Sequence, residues 1–257
     1  MSGLTRWIRK IVQNEKDEIN VYWSPVPPES KRKWEYPIHT YLEPSLSYRN
    51  LAKIKVDGVT DFKKCPAYID VLKNMYNLHF AFDYDLHINW DNETTHTTHL
   101  DQEAFEDHVW VRSYEKRMIT FINPYMFFTD EDSLILEVTP AYLSDNNFVK
   151  STTIIPGSYD IGKWCRPLDC TFVVHDNINY IHWKREDQYC HVKFKTDKKI
   201  KLNKFSYTKK LDSIVETLIE SRNDKEKWDG KWEHYYSQLE NTNIKNHILT
   251  EMRNNLL

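Results

Sequence analysis

Between positions 78 and 90 apolar and polar side chains alternate along the chain. Leu78, Phe80, Phe82, Tyr84, Leu86, Ile88 and Trp90 fall on one parity, and His79, Asp83, Asp85, His87 and Asn89 on the other, with Ala81 the one interruption. A period of two over that length is a strand with one dry and one wet face; a helix would scatter the apolar groups around its axis. The pattern predicts a sheet, with this stretch as a strand crossing a whole layer of it.

Shorter extended pieces follow. The pattern predicts strands at 19–23, 118–122 (broken at Pro124), 134–138 (stopped at Pro140), 152–155, 170–175, 180–184, 189–194 and 200–205. Polar loops are expected at 91–109, which holds His96, His99 and His108, and around Asp145, Asn146 and Asn147. No helical pattern separates the later strands, so a parallel α/β sheet is not expected; short strands at this spacing argue for a sandwich or barrel. Helical spacing is confined to 4–13, to a segment opening at Pro66 with Tyr68, Ile69, Leu72 and Met75 as its stripe, and to the tail. There Leu211, Ile214, Val215, Leu218 and Ile219 mark one amphipathic helix, Trp228 to Leu239 a second and Ile244 to Leu256 a third. Residues 24–60 carry five prolines and read as an extended surface segment. The expected architecture is mainly β, of β-clip or β-sandwich/jelly-roll-like type, and α+β overall. A β-rich domain over 1–206 with an N-terminal extended segment is followed by a helical tail, 207–257, packed on it.

Composition narrows the function classes. A chain of 257 residues suits one large or two small domains, and 40% hydrophobic with 14% aromatic residues can fill a core. A net charge of -3 points to neither a nucleic-acid coat nor a polybasic membrane patch. No apolar run approaches the ~18 to 20 residues of a membrane span, and the first residues lack the apolar core of a secretion signal. The four cysteines, at 65, 165, 170 and 190, lack CxxC spacing; they read as reduced thiols of a cytosolic protein, with a zinc site from Cys165, Cys170 and Cys190 as the alternative. Only five glycines are present, which excludes a Walker loop and a G-x-G-x-x-G fingerprint. Two of them, Gly157 and Gly162, bracket Asp160. An Asp in a glycine-flanked turn can project its carboxylate to orient a water or a hydroxyl, or it can simply bond its own backbone.

The runs N-P-Y-M-F-F-T (123–129), S-L-I-L-E-V-T-P (133–140), I-P-G-S-Y-D-I-G-K-W (155–164) and I-H-W-K-R-E-D (181–187), with Y-W-S-P (22–25) and K-C-P-x-x-x-D (64–70) before them, resemble an uncharacterised group of tailed-phage proteins similar to DUF6065. That likeness spans about residues 20–206. It implies a phage accessory or virion-associated protein acting through binding, in the host cytoplasm or the virion, with no cofactor and a protein partner it does not name. The Lys-, Asn-, Ile- and Tyr-rich composition suits an AT-rich viral genome.

Two further likenesses imply chemistry. Gly157, Tyr159, Asp160 and Trp164, with the 185–190 segment and F-D-Y-D-L at 82–86, resemble motifs of trimeric dUTPases and dCTP deaminases. They imply a β-clip trimer binding Mg2+ with a nucleotide, in which Asp160 positions water and Tyr159, Trp164, Arg166 and Arg185 contact the ligand. The R-S-G phosphate motif is missing, with P-A-Y-L-S in its place (140–144), and so is the glycine-rich C-terminal arm; a triphosphate needs both. His99-Leu100-Asp101 with the distal His175 and Arg185 resembles Fe(II)/2-oxoglutarate oxygenases, whose facial triad leaves open metal positions for substrate and oxygen.

Overall fold

The computed structural model describes residues 18–27, 34, 38–47, 65–98, 106–142, 144–222, 233–240 and 242–257. The helix expected at 4–13, most of the 24–60 segment, His99, Asp101, Trp228 and Trp232 lie outside these residues. In chain order the elements are β1 (Glu18–Pro25), a 3-10 turn (Ile38–Thr40), β2 (Ser45–Leu46), α1 (Pro66–Leu72), β3 (Met75–His79), β4 (Tyr84–Asn89), β5 (Thr94–His96), β6 (Val109–Ser113), β7 (Met118–Thr129) and β8 (Ile135–Pro140). There follow α2 (Asn147–Ser151), β9 (Thr152–Ile154), β10 (Gly157–Asp160), β11 (Pro167–Val174), β12 (Tyr180–Trp183), β13 (Gln188–Phe194), β14 (Lys199–Lys204), α3 (Lys209–Arg222), α4 (Glu233–Glu240) and α5 (Thr242–Asn254).

The strands form three sheets. The largest runs β14-β1-β7-β11-β9, with β6 beside β7; a second runs β10-β8-β13-β3-β2; a third runs β12-β4-β5. All pairings are antiparallel except β1 with β14. The main core lies between the first sheet and the other two: Val21, Trp23, Phe127 and Phe172 meet Leu78, Leu136, Val192 and Phe194, and Leu86, Ile88 and Trp183. This is a mainly β, sandwich-like architecture, α+β overall.

The first sheet is covered on its other face as well. Tyr22, Met126 and Phe128 point away from the sandwich and pack with Leu211 and Val215 of α3, Tyr235 and Leu239 of α4, and Ile248 and Met252 of α5. Each such fully buried side chain stabilises by roughly 1.5 to 3 kcal/mol. A strand dry on both faces reads as a continuous apolar run, which is why Y-M-F-F at 125–128 does not alternate.

Three expectations need correction. First, 78–90 is not one strand. Its period of two is real, and Leu78, Phe80, Tyr84, Leu86 and Ile88 all face the main core. The backbone nevertheless leaves the second sheet after His79 and enters the third at Tyr84. Parity records which face is dry, not which sheet a residue belongs to.

Second, Pro124 does not break β7, which runs on to Thr129. The proline sits where β7 exchanges β6 (Val109 opposite Phe121) for β1 (Pro25 opposite Tyr125) and where the register with β11 shifts. Proline is tolerated at such a discontinuity because no ladder N–H is required there.

Third, several supposed loops are ordered elements. Asn146 caps α2, its side chain accepting from the Val149 amide at 2.9 Å. β5 lies within the polar stretch after 91. Helix α1 does open at Pro66, but Ile69 on its expected stripe is exposed.

Candidate binding site

The change of sheet between β3 and β4 leaves a short bend at 80–83, held by the β12–β13 turn. Phe80 N–H donates to the Asp187 carbonyl (3.0 Å), Glu186 N–H donates to the Phe80 carbonyl (3.1 Å), and the Arg185 amide donates to Asp83 Oδ1 at 2.6 Å. Glu186 adopts a φ of 76° to close this turn. Around the bend lies a cleft lined by Tyr41, Phe82, Tyr84, Trp183 and Tyr189, with His79 and His108 as its imidazoles and Phe121 and Pro124 of β7 beneath.

Its walls are packed rings. Trp183 stacks with Phe80 (centroids 4.9 Å apart, 27°) and with Tyr84 (5.1 Å, 13°). Phe80 also meets Tyr189 at 4.8 Å and Phe121 at 5.3 Å. Tyr41 and His108 both meet Phe82 edge-on, at 5.8 and 6.0 Å. Such pairs are worth about 0.5 to 1.5 kcal/mol beyond their burial, so the walls are stiff.

The polar atoms of the cleft set it apart. Tyr189 is the bulged residue of β13: Gln188 opposes His79 and Cys190 opposes Leu78, so Tyr189 has no opposite number. Bulges re-aim side chains in this way. The ring is 5% exposed, and its hydroxyl has no hydrogen-bond partner. His79 Nδ1 is buried without a partner too. Burial lowers the His79 pKa against the opposing charge of Glu186. Burial, then Cys190 and Tyr125, raise the Tyr189 pKa well above the usual tyrosine value. Both groups are therefore neutral at pH 7, and each can still make a hydrogen bond. Counted to its open mouth the cleft is about 430 Å3, of which about 30 Å3 is open to the centre of a water molecule. That is room for one or two waters or one small functional group.

Arg185 is near this rim. Its Nη2 lies 3.5 Å from the Thr40 carbonyl, and Thr40 and Asp83 are the chain neighbours of the wall residues Tyr41 and Phe82. The other sequence candidates lie elsewhere. Asp160 ends β10, an edge strand paired with β8, and its Oδ1 accepts the Gly162 amide at 3.1 Å. Gly162 itself is required by space, since a Cβ there would lie 2.8 Å from the Glu131 carbonyl oxygen.

Tyr159 donates its hydroxyl to the Asp169 carbonyl at 2.9 Å and packs on Trp164 at 4.9 Å. Arg166 sits over Trp164 at 5.3 Å and 3.7 Å from the Asp169 carboxylate. Trp164 meets Tyr235 of α4, whose hydroxyl accepts the Cys165 amide at 3.0 Å, and Lys163 pairs with Glu240 at 2.8 Å. The 157–166 motif is thus a seam that fastens the helices to the sheets.

His175 uses both ring nitrogens, Nδ1 on the Lys150 carbonyl (3.0 Å) and Nε2 on Thr153 Oγ1 (2.8 Å). Cys165 lies on the helix side of the first sheet and Cys170 and Cys190 on the sandwich side. Among the described residues no three His, Cys, Asp or Glu side chains are placed to share a metal ion. The buried Asp85 carboxylate is already satisfied by Thr97 Oγ1, the Thr98 amide and hydroxyl, and His87 Nε2.

Of the candidate site residues in the sequence, only Arg185 stands near the cleft, at its rim. The available signal was Ala81, the one flaw in the alternation at 78–90, which marks the bend. No family model, no curated protein and no solved structure matches this chain. The phage, nucleotidase and oxygenase likenesses are therefore carried by their motifs alone.

Proposed function

We propose that this chain is a non-catalytic binding protein and that the aromatic cleft takes its ligand, a small molecule with a flat apolar body and one uncharged hydrogen-bonding group. The observation that carries this is the Tyr189 hydroxyl, buried in a cleft wall with nothing to bond. A buried polar group in that state costs about 1 to 3 kcal/mol, and a ligand in the cleft whose entry turns the Tyr189 ring outward would recover it. The neutrality of His79 and Tyr189 favours an uncharged inserted group, and Arg185 offers a cation for a substituent at the mouth. The affiliation with phage accessory or virion-associated proteins is our reading of the motifs over 20–206. The hydrolase alternative draws little support from Asp160, whose carboxylate is engaged by Gly162.

A thermal-shift screen tests this with planar heteroaromatic fragments, deoxynucleoside triphosphates, and iron with 2-oxoglutarate. A saturating fragment at about 100 times its Kd adds roughly 2.7 kcal/mol. At least one fragment should raise Tm, and Tyr189→Phe should bind it about tenfold more weakly. A fragment set that never shifts Tm, or shifts it equally in Tyr189→Phe, sinks the proposal. A shift confined to triphosphates and lost in Arg185→Ala would transfer the site to nucleotides; one confined to iron with 2-oxoglutarate would transfer it to the oxygenase.

A further inference from the structure

The third sheet carries a row of rings on the face turned away from the core. Its strands bury Tyr84, Leu86, Ile88, Ile181 and Trp183 on the core side. The opposite parity places Asp85 and His87 of β4, Tyr180 and His182 of β12 and His96 of β5 on the other side. Tyr180, His87 and His96 stand directly opposite one another across the three strands. The His87 and His96 rings stack with centroids 4.7 Å apart at 7°, and Tyr180 packs on His87 from the other flank at 4.6 Å. His96 is exposed, and the His87 side chain is 35% exposed, so both can be reached from solvent. We propose that His87 and His96 form a two-imidazole binding site for a divalent transition-metal ion of the Ni2+, Cu2+ or Zn2+ type.

The bonding of His87 prepares it to ligate. Its Nε2 lies 3.1 Å from Asp85 Oδ2. That carboxylate is ringed by donors, the Thr97 hydroxyl at 2.8 Å, the Thr98 amide at 2.9 Å and the Thr98 hydroxyl at 2.7 Å. Asp85 therefore accepts from His87 as well, the ring proton sits on Nε2, and the lone pair of the neutral imidazole is left on Nδ1. A histidine that gives one N–H to a carboxylate is fixed in orientation and is a stronger ligand through its other nitrogen. Thr97 and Thr98 follow His96 directly in the chain. One buried carboxylate thus positions His87 and also anchors the strand that carries His96.

The donor set chooses the ion. Imidazole suits zinc, copper and nickel, whereas magnesium and calcium take oxygen ligands. Two metal–nitrogen bonds of about 2.0 to 2.1 Å hold their nitrogens about 3 Å apart. The stacked rings reach that spacing by turning about their side-chain torsions, and His96, on the edge strand β5, has solvent to turn into. Among the described residues no third His, Cys, Asp or Glu is placed to join the pair, so water completes the coordination. His182 stands opposite Asp85, one row along the same face, and is the internal control. Tyr84 and Trp183, which line the cleft, are on the other side of this sheet. The metal site therefore does not depend on the cleft binding a ligand.

The test titrates the full chain with NiCl2 in a calorimeter at neutral pH. His96→Ala, a change at an exposed position, should bind Ni2+ more than about tenfold more weakly than the wild-type chain, since losing even a group that only orients a ligand costs about 10 to 100-fold. His182→Ala should bind as the wild type does. Equal affinity in the wild type and His96→Ala, or an equal loss in His182→Ala, would overturn the proposal. Should His96→Ala fail to fold, the wild-type chain decides on its own. Diethyl pyrocarbonate modification, read by peptide mass, should slow at His87 and His96 when Ni2+ is present and proceed unchanged at His182. Unprotected His96, or equal protection of His182, would overturn the two-imidazole assignment.

Discussion

The cleft at the strand switch and the seam at 157–166 share materials, tyrosine and tryptophan rings beside arginine and aspartate. They differ at particular polar atoms. In the seam Tyr159 bonds the Asp169 carbonyl, Trp164 Nε1 donates to the Pro167 carbonyl and Asp160 holds the Gly162 amide. In the cleft the Tyr189 hydroxyl and His79 Nδ1 bond nothing. A satisfied polar network rigidifies, while an unsatisfied one is waiting for a partner or storing a cost. The glycine-flanked motif stands out in the sequence because folding constrains it. The cleft does not, because what distinguishes it is a set of bonds not made.

The largest test of this contrast is a tryptophan deletion in each region. Trp183 and Trp164 are both buried, and Trp→Ala in a core costs about 3 to 5 kcal/mol. Urea unfolding should show a loss of that size for both variants. They should part in the ligand screen: Trp183→Ala loses the fragment response, and Trp164→Ala, if folded at low temperature, keeps it. Loss of the response in both would mean that the seam also shapes the cleft.

The next effect is pH dependence on the cleft side. His191, opposite Thr139 on β8, is 1% exposed, and neither ring nitrogen has a partner. Burial, and then the neighbouring His79, lower its pKa from 6.5 to about 4; burial lowers that of His79 as well. The folded-state values lie below the unfolded one, so between pH 6.5 and 4 the unfolded chain holds more protons. Stability is full above pH 6.5 and falls as pH drops toward 4. The His191 shift alone is worth about 3 kcal/mol. Denaturant unfolding at stepped pH should show that slope, and His191→Phe, which keeps a ring against Tyr142, should flatten it. An unchanged slope in the variant would assign the effect elsewhere.

These tests also show what the sequence could reveal. Alternation located most strands of both faces, and the 3.6-residue period located the three C-terminal helices, because burial on one side leaves a periodic trace. It could not show that residues 78–90 change sheets at 80–83, since parity survives the bend. Nor could it show that β7 passes through Pro124, since that depends on which strands flank it. The cleft was hidden for a related reason. His79 and Tyr189 lie far apart in sequence, and each occupies a position that reads as ordinary core or ordinary wet face. Only the bulge at Tyr189 brings them to one place.

A matched pair of hydroxyl deletions gives a smaller effect with opposite signs. Tyr159→Phe removes a hydroxyl bonded at 2.9 Å and should cost about 1 kcal/mol. Tyr189→Phe removes one that bonds nothing and should leave the free protein unchanged or up to about 1 kcal/mol more stable. Equal losses in the two variants would show that Tyr189 is satisfied in solution, by a bound water for instance, and would remove the distinction between the regions.

The smallest expected effect falls on the residue that looked most catalytic. Asp160→Asn keeps an oxygen acceptor for the Gly162 amide, so the turn survives and stability should change by less than about 0.5 kcal/mol. Asp160→Ala removes the acceptor and should cost about 1 kcal/mol. A residue that only ties a turn produces this ranking, with no change in any ligand response of the cleft. A carboxylate that positions water would behave differently, because Asn cannot take a proton where Asp can. If Asp160→Asn keeps the wild-type Tm while abolishing a measured turnover of nucleotide, the seam is the working site after all, and its satisfied bonds describe a resting state.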